Sequence, residues 1–490
     1  MAIKKLHKYL EDSEKKGDNQ MVFSSLEFIF LFLPAFLLIY GTASKKYKNA
    51  VIFMGSVFFY SMGFRGEGIG NLLIKTSLFL LTVLFNFIIG EFIQHFRKAS
   101  KFWLVCGIIY NFSLLVFFKY TGFFLENING LFGADLPIKN IILPIGISFY
   151  TFQNVSYIID VYRKDVESEK SLINYGAYIS MFPQLIAGPI VTYSTVAKEL
   201  QSRTHTIKKV ENGLKTFTIG LGYKVLLANQ LGGLWRELSM IGYESISSGL
   251  AWLGIIAYSF QLYFDFMGYS FMAMGLGEIM GFNIPKNFDY PYLSVTMSEF
   301  WRRWHITLGS WFREYVYFPL GGSRCDSKAK IVRNFLVVWL FTGIWHGASW
   351  NFIVWGLVLF GLIMLERFVI GKFLNEFRII GHLYMFLAIP LTWLLFAIED
   401  FSDIGLYFSK LFGIAAESDV IINTKDYAKY WGIYGKYFIA GALFSTRIPE
   451  KIYTKIKNTP FCAVLLLVVF WASVYCMYMG MEDVFMYFRF

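Results

Sequence analysis

The feature that most constrains this chain is the recurrence of apolar runs long enough to cross a bilayer. A spanning helix needs about 20 apolar residues, and backbone in hydrocarbon must satisfy its own hydrogen bonds, which leaves helices or closed barrels. Long apolar runs lie near residues 72–93, 103–124, 141–159, 250–280, 335–364, 380–398 and 462–479, with shorter ones near 28–40, 51–62 and 431–444. These continuous runs predict helices rather than alternating strands. Residues 173–191 are apolar but interrupted by Pro183, Gly188 and Pro189, which reads as a re-entrant segment buried in protein. The expected fold class is therefore all-α: a polytopic integral membrane protein with about 10–12 membrane helices, some of them half-helices. With 56% hydrophobic, 20% aromatic and only 16% charged residues, the chain falls well below the roughly one quarter of charged residues in soluble domains. No linker, tandem repeat or low-complexity stretch divides it, so residues 21–490 read as a single membrane domain.

The formal charge of +11, from 45 basic against 34 acidic residues, does not point to nucleic acid. The basic residues sit in short loops between spans: Lys45, Lys46 and Lys48; Arg97, Lys98 and Lys101; Arg447, Lys451, Lys455 and Lys457. Such clusters mark cytoplasmic loops. They place residues near 21 outside, the loop after 40 inside, 64–70 outside, 95–101 inside and 126–139 outside. The Lys-rich residues 1–20 fit this alternation poorly and lack the apolar core of a signal peptide; they read as an N-terminal extension, with Met21 the favoured start.

Local signatures exclude several chemistries. The four cysteines, Cys106, Cys325, Cys462 and Cys476, have no paired spacing, so neither a zinc site nor a disulfide framework is expected. The sequence has no GxSxG, P-loop, GxGxxG or HExxH pattern, which removes the local signs of serine hydrolases, nucleotide hydrolases and zinc proteases. No metal or bound cofactor is expected.

A membrane-buried reaction site needs an ionisable group placed despite its desolvation cost. Of the six histidines, His7 lies in the N-terminal extension, His95 and His205 adjoin basic loops, and His382 opens an apolar run without polar companions. His346 lies in "VVWLFTGIWHGASWNFIVWG", about eleven residues or roughly 17 Å into its run. Continued as one helix, that run would give it Thr342, Gly343, Ser349 and Trp350 as neighbours, a small and polar stripe facing protein or a cavity. The Gly343 and Gly347 spacing suits close helix packing or marks a break.

His305 lies in "EFWRRWHITLGSWFREYVYFPLGG", residues 299–322. Spaced as a helix, Trp301, His305, Leu308 and Phe312 share one face, while Arg303, Thr307, Ser310 and Glu314 fall on another. This predicts an amphipathic interfacial or vestibule helix. Upstream, Asp265 and Glu278 lie in apolar surroundings; Asp265 has the alternatives of pairing with an arginine or histidine and of a structural bond between helices. A deep histidine with no nucleophile beside it suits direct transfer, in which it takes the proton of an acceptor hydroxyl attacking an activated acyl group.

The two stretches "SEFWRRWHITLGSWFREYVYFPLGG" and "RNFLVVWLFTGIWHGASWNFIVWG" resemble the membrane-bound O-acyltransferase superfamily, in particular its bacterial branch that O-acetylates alginate or D-alanylates teichoic acids. "MVFSSLEFIFLFLP", "LPIGISFYTFQNVSYIIDVYR" and "MFPQLIAGPIV" extend the likeness over most of the chain from Met21. Glu314, where many relatives have Asp, and Phe312 and Phe318, at aliphatic positions, depart from the pattern.

The resemblance implies a helical fold around a central funnel in the bacterial cytoplasmic membrane. It implies His346 as the principal catalytic residue and His305 as the second histidine of the site. Arg302, Arg303, Trp304 and Glu299 beside His305, Trp345 and Asn351 beside His346, and Asp265 are the candidate donor- or substrate-binding residues. The implied donor is an intracellular thioester such as acetyl-CoA or an acyl carrier protein, and the acceptor an extracytoplasmic polysaccharide. An extracytoplasmic acetyltransferase or esterase-like partner protein would complete the modification. The alternatives are D-alanyl transfer from a carrier protein to teichoic acid, and a transporter of acyl groups or lipid-linked sugars. The visible absence of inverted repeats weighs against transport.

Overall fold

The computed structural model describes residues 21–138, 141–414 and 423–480. Residues 1–20, assigned to an N-terminal extension, lie outside them. The described residues contain helices and no strand. They form two compact units: the first runs to Asn212 and takes in Leu276–Ile284, and the second comprises Gly213–Gly275 and the described residues from Pro285 onwards.

In the first unit, α1 (Leu33–Thr42) continues a π-turn at Phe28–Phe32 and is followed by α2 (Lys48–Met62), α3 (Ile69–His95) and α4 (Ser100–Phe132). α3 and α4 are long apolar rods with much of their surface exposed, including Leu73, Ile74, Ile109 and Phe117, as a bilayer-facing pair should be. Asn86 and Asn111 are buried between them and exchange amide hydrogen bonds of 3.1 and 2.7 Å, the polar cross-link that membrane helices use in place of a hydrophobic driving force. α5 (Ile147–Arg163), α6 (Leu172–Ser180), a short helix at Phe182–Leu185 and α7 (Tyr193–Gln201) complete the unit. Residues 175–191 are buried throughout, as expected for an interrupted segment held inside protein. The close fit depends on Gly146: its φ is +72°, and a Cβ there would meet the Leu185 carbonyl oxygen at 2.3 Å.

The second unit begins within α8 (Ile207–Gly222), which leads through a π-helical stretch at Tyr223–Ala228 into α9 (Asn229–Ile241), and it includes the largely buried α10 (Ser248–Met280) as far as Gly275. Two short helices, α11 (Met297–Arg303) and α12 (Ile306–Phe312), precede the hairpin of α13 (Lys328–His346) and α14 (Trp350–Leu365). α15 (Arg378–Ala397), α16 (Phe401–Phe412), α17 (Asp426–Phe444), α18 (Ile448–Ile456) and α19 (Pro460–Tyr478) follow.

Among the described residues, six helices are long and apolar enough to cross a membrane, spanning Ile69–His95, Arg97–Phe132, Ser248–Met280, Trp350–Glu376, Arg378–Ala397 and Pro460–Tyr478. The run at 335–364 is divided between α13 and α14, and α1 and α2 are 10 and 15 residues long.

Candidate active site

α13 ends at His346. The backbone turns extended at Gly347 and Ser349 before α14 starts at Trp350, so the expected stripe is only half present. Thr342 and Gly343 stay on the last turn of α13, whereas Ser349 and Trp350 lie past the break. The two glycines have separate tasks. A Cβ on Gly343 would meet the Phe352 carbonyl oxygen at 2.5 Å, which is backbone-to-backbone packing of α13 on α14. One on Gly347 would strike the Phe352 ring at 2.1 Å. His346 is 7% exposed, with the rings of Trp345, Trp355 and Phe396 centred 4.9, 5.0 and 5.2 Å away and nearly perpendicular to it.

His305 does not lie on a continuous amphipathic helix. It sits at the junction of α11 and α12 with φ 44° and ψ 54°, the left-handed region, which costs a non-glycine residue about 1–3 kcal/mol unless its surroundings impose it. They do here. The Asn287 carbonyl accepts from Ile306 N (2.9 Å), Asp289 N donates to the Arg303 carbonyl (2.9 Å), and Asn287 Oδ1 meets His305 Nδ1 (3.0 Å) and accepts from Thr307 N (3.3 Å) and Thr307 Oγ1 (2.9 Å). An amide oxygen only accepts, so Nδ1 carries the ring proton and Nε2 the lone pair. Burial, with 2% of the residue exposed, pushes the imidazole down to about 3, so at neutral pH it is an uncharged hydrogen-bond acceptor. Both histidines contact Trp345: its ring centre lies 6.2 Å from that of His305 and 4.9 Å from that of His346.

Several other candidates support the scaffold. Glu299 forms a capping arrangement for α11, accepting from Val295 N (2.9 Å) while Thr296 Oγ1 accepts from Glu299 N (3.1 Å), and it also pairs with Arg303 Nη2 at 2.6 Å. Arg302 is exposed. Trp304 is buried and stacks on Phe300 at 5.4 Å. Asn351 is buried and donates to the Leu395 carbonyl at 3.0 Å, its Oδ1 having no partner. Asp265 meets a lysine instead of an arginine or histidine: Lys224 Nζ lies 2.8 Å from Oδ1, both side chains almost wholly buried. An apolar cavity of about 500 Å³ in the same unit is lined by Tyr292, Phe300, His382 and Met385, but by neither candidate histidine. No group of three or more His, Cys, Asp or Glu that could hold a metal occurs among the described residues.

Two histidines, one with a defined tautomer, thus lie near one indole inside a membrane-embedded helical unit. The family model of the membrane-bound O-acyltransferases matches residues 164–377, which contain both. The probable alginate O-acetylase AlgI of Pseudomonas aeruginosa is 38% identical over 392 residues, 78% of this chain and 72% of that protein. The chain belongs to the membrane-bound O-acyltransferase family. The peptidoglycan O-acetyltransferase of Helicobacter pylori is also similar, 35% identical over 68% of each chain. The teichoic acid D-alanyltransferase of Bacillus subtilis is 27% identical over 66% of this chain and 81% of that one. A member of this family is a multi-pass membrane O-acyltransferase, which removes the transporter alternative.

Sequence reasoning missed Asn287, Trp355 and Phe396. Asn287, in "IPKNFDYPY", was the one with a usable signal: a lone amide among aromatic residues shortly before the histidine stretch.

Proposed function

We propose that this O-acyltransferase moves an acetyl group from an intracellular thioester, acetyl-CoA or an acyl carrier protein, towards hydroxyls of an extracytoplasmic polysaccharide across the bacterial cytoplasmic membrane. The observation that carries the reading is the paired presentation of His305 and His346 to Trp345, with the His305 lone pair on Nε2. His346 is the general base. As the acceptor oxygen attacks the thioester carbonyl, its O–H proton passes to the imidazole; the C–S bond then breaks, and the proton follows the leaving thiolate. His305 accepts a hydrogen bond and orients the hydroxyl. The rings around His346 exclude water, which would otherwise hydrolyse the thioester.

Arg302, on the exposed face of α11, is the better placed of the two arginines to meet donor phosphates, since Arg303 is paired with Glu299. Trp304, Glu299 and Asp265 hold the elements that bring the histidines into position, and Trp345 and Asn351 shape the donor side. An extracytoplasmic acetyltransferase or esterase-like protein is the proposed partner. The names of the alginate and peptidoglycan relatives support acetyl transfer to a polysaccharide.

The test is transfer in sealed membrane vesicles supplied with labelled acetyl thioester on the cytoplasmic face. Base-labile label should appear in polymer, and His346→Ala should remove it. Label carried equally by D-alanyl thioester would favour the teichoic acid reaction.

A further inference from the structure

In the first unit, cationic side chains gather around a buried phenol. Tyr40, 3% exposed, donates from its hydroxyl to the Met280 carbonyl (2.6 Å) and accepts from Arg203 Nε (2.9 Å), with His205 Nε2 3.4 Å from the same oxygen. Lys48 Nζ lies 4.4 Å from the Tyr40 ring centre and donates to the Tyr40 carbonyl at 3.3 Å. Arg203 Nη1 reaches Asn49 Oδ1 (2.6 Å) and the Glu199 carbonyl (3.0 Å), while Nη2 is buried without a hydrogen bond. Gly281, at φ +90°, lets the chain close on the cluster: a Cβ there would lie 3.1 Å from His205 and 3.2 Å from Arg203.

All these hydrogen-bond acceptors are neutral. The carboxylate of Glu199 is bonded to Asn283 at 2.9 Å, and among the described residues no acidic group lies within 4.0 Å of the Lys48 ammonium, the Arg203 guanidinium or the His205 ring nitrogens. Burial and then the charges of Lys48, Arg203 and Lys209 hold the His205 imidazole down to about 4. Like charges held this close raise one another's energy unless an anion joins them, and a fixed guanidinium beside an ammonium matches a phosphate oxyanion.

We propose that Lys48, Arg203 and His205 form a binding site for a phosphate group, carried by an anionic lipid headgroup or by a soluble phosphate ester. The anion would sit on the Lys48 and His205 side, since Arg203 Nε and Nη1 are engaged by protein. Its charge would favour protonated His205 and relieve the repulsion among the cations.

The test uses the full chain purified in detergent and delipidated. In one arm, inorganic phosphate is titrated with thermal unfolding as the readout. In the other, mixed phosphatidylglycerol and phosphatidylcholine are added and retained lipid is counted by native mass spectrometry. Arg203 also braces the fold, so the decisive variant is the double substitution Lys48→Gln with His205→Gln, with Lys46→Gln as a surface-charge control. The proposal expects saturable phosphate binding, or preferential retention of phosphatidylglycerol, weakened about tenfold or more in the double variant and unchanged in the control. A response to phosphate identifies the soluble source, and selective lipid retention the headgroup. No binding in either arm, or binding that the double variant preserves, overturns the proposal.

Discussion

At the residue scale, the account rests on the Asn287 side chain fixing the proton position of His305. Asn287→Leu keeps the volume but removes the acceptor of three hydrogen bonds. It should lower turnover about 10²-fold, as expected when a catalytic hydrogen bond loses its geometry, with a smaller change in KM and the protein still present in membranes. Asn287→Asp tests the tautomer argument independently: a carboxylate beside Nδ1 favours imidazolium, so the acid limb of the pH–rate profile should move to higher pH. An unmoved limb would contradict the assignment. Burial also links His305 to stability. Its folded-state value of about 3 lies below the ordinary 6.5, so between those values the unfolded chain binds more protons and stability falls as pH falls. Thermal unfolding measured from pH 7 to 4 should show that loss, and His305→Gln should reduce its slope. That His305 and His346 are the buried pair was legible in the sequence from their apolar flanks. The bond to Asn287 was not, because it joins residues 18 apart through a turn that no helical or strand period describes.

At the element scale, glycines decide which helices touch. A Cβ on Gly220 would meet the Gly268 carbonyl oxygen at 2.5 Å, and one on Gly275 the Gly213 carbonyl oxygen at 2.4 Å, so α8 and α10 run backbone against backbone. This approach carries Lys224, in the π-helical stretch after α8, onto Asp265. Lys224→Met alone should destabilise the chain by about 3–5 kcal/mol by removing the cation beside a buried carboxylate, whereas Lys224→Met with Asp265→Leu should recover most of that loss. Thermal unfolding in detergent distinguishes the two outcomes. The spans at Ile69–His95, Arg97–Phe132, Ser248–Met280, Arg378–Ala397 and Pro460–Tyr478 were legible as apolar runs, whereas the run at 141–159 forms the shorter, buried α5. The break between α11 and α12 was hidden because Trp301, His305, Leu308 and Phe312 keep helical spacing across it; the tertiary clasp by Asn287 overrides the local periodicity. The end of α13 at His346 was half legible, since Gly347 was open to reading as packing or as a break.

At the scale of the whole molecule, the family and the helical class followed from sequence. Arg302 and Arg303, given a common role from sequence, have different surroundings: Arg303 pairs with Glu299, whereas Arg302 is exposed. The positive clusters carry a topology prediction: in a cysteine-free background, Lys46→Cys, Lys98→Cys and Lys451→Cys should all react with a membrane-impermeant thiol reagent only from the cytoplasmic face. Reaction of any one from the outer face would reverse that part of the arrangement. The central claim, that acyl transfer occurs at His346, is tested most directly by polymer-bound O-acetyl released with mild base from cells expressing the intact chain, His346→Ala or His305→Ala at matched membrane levels. His346→Ala should lose the ester and His305→Ala part of it; normal esterification with His346→Ala would overturn the assignment of His346 as the base.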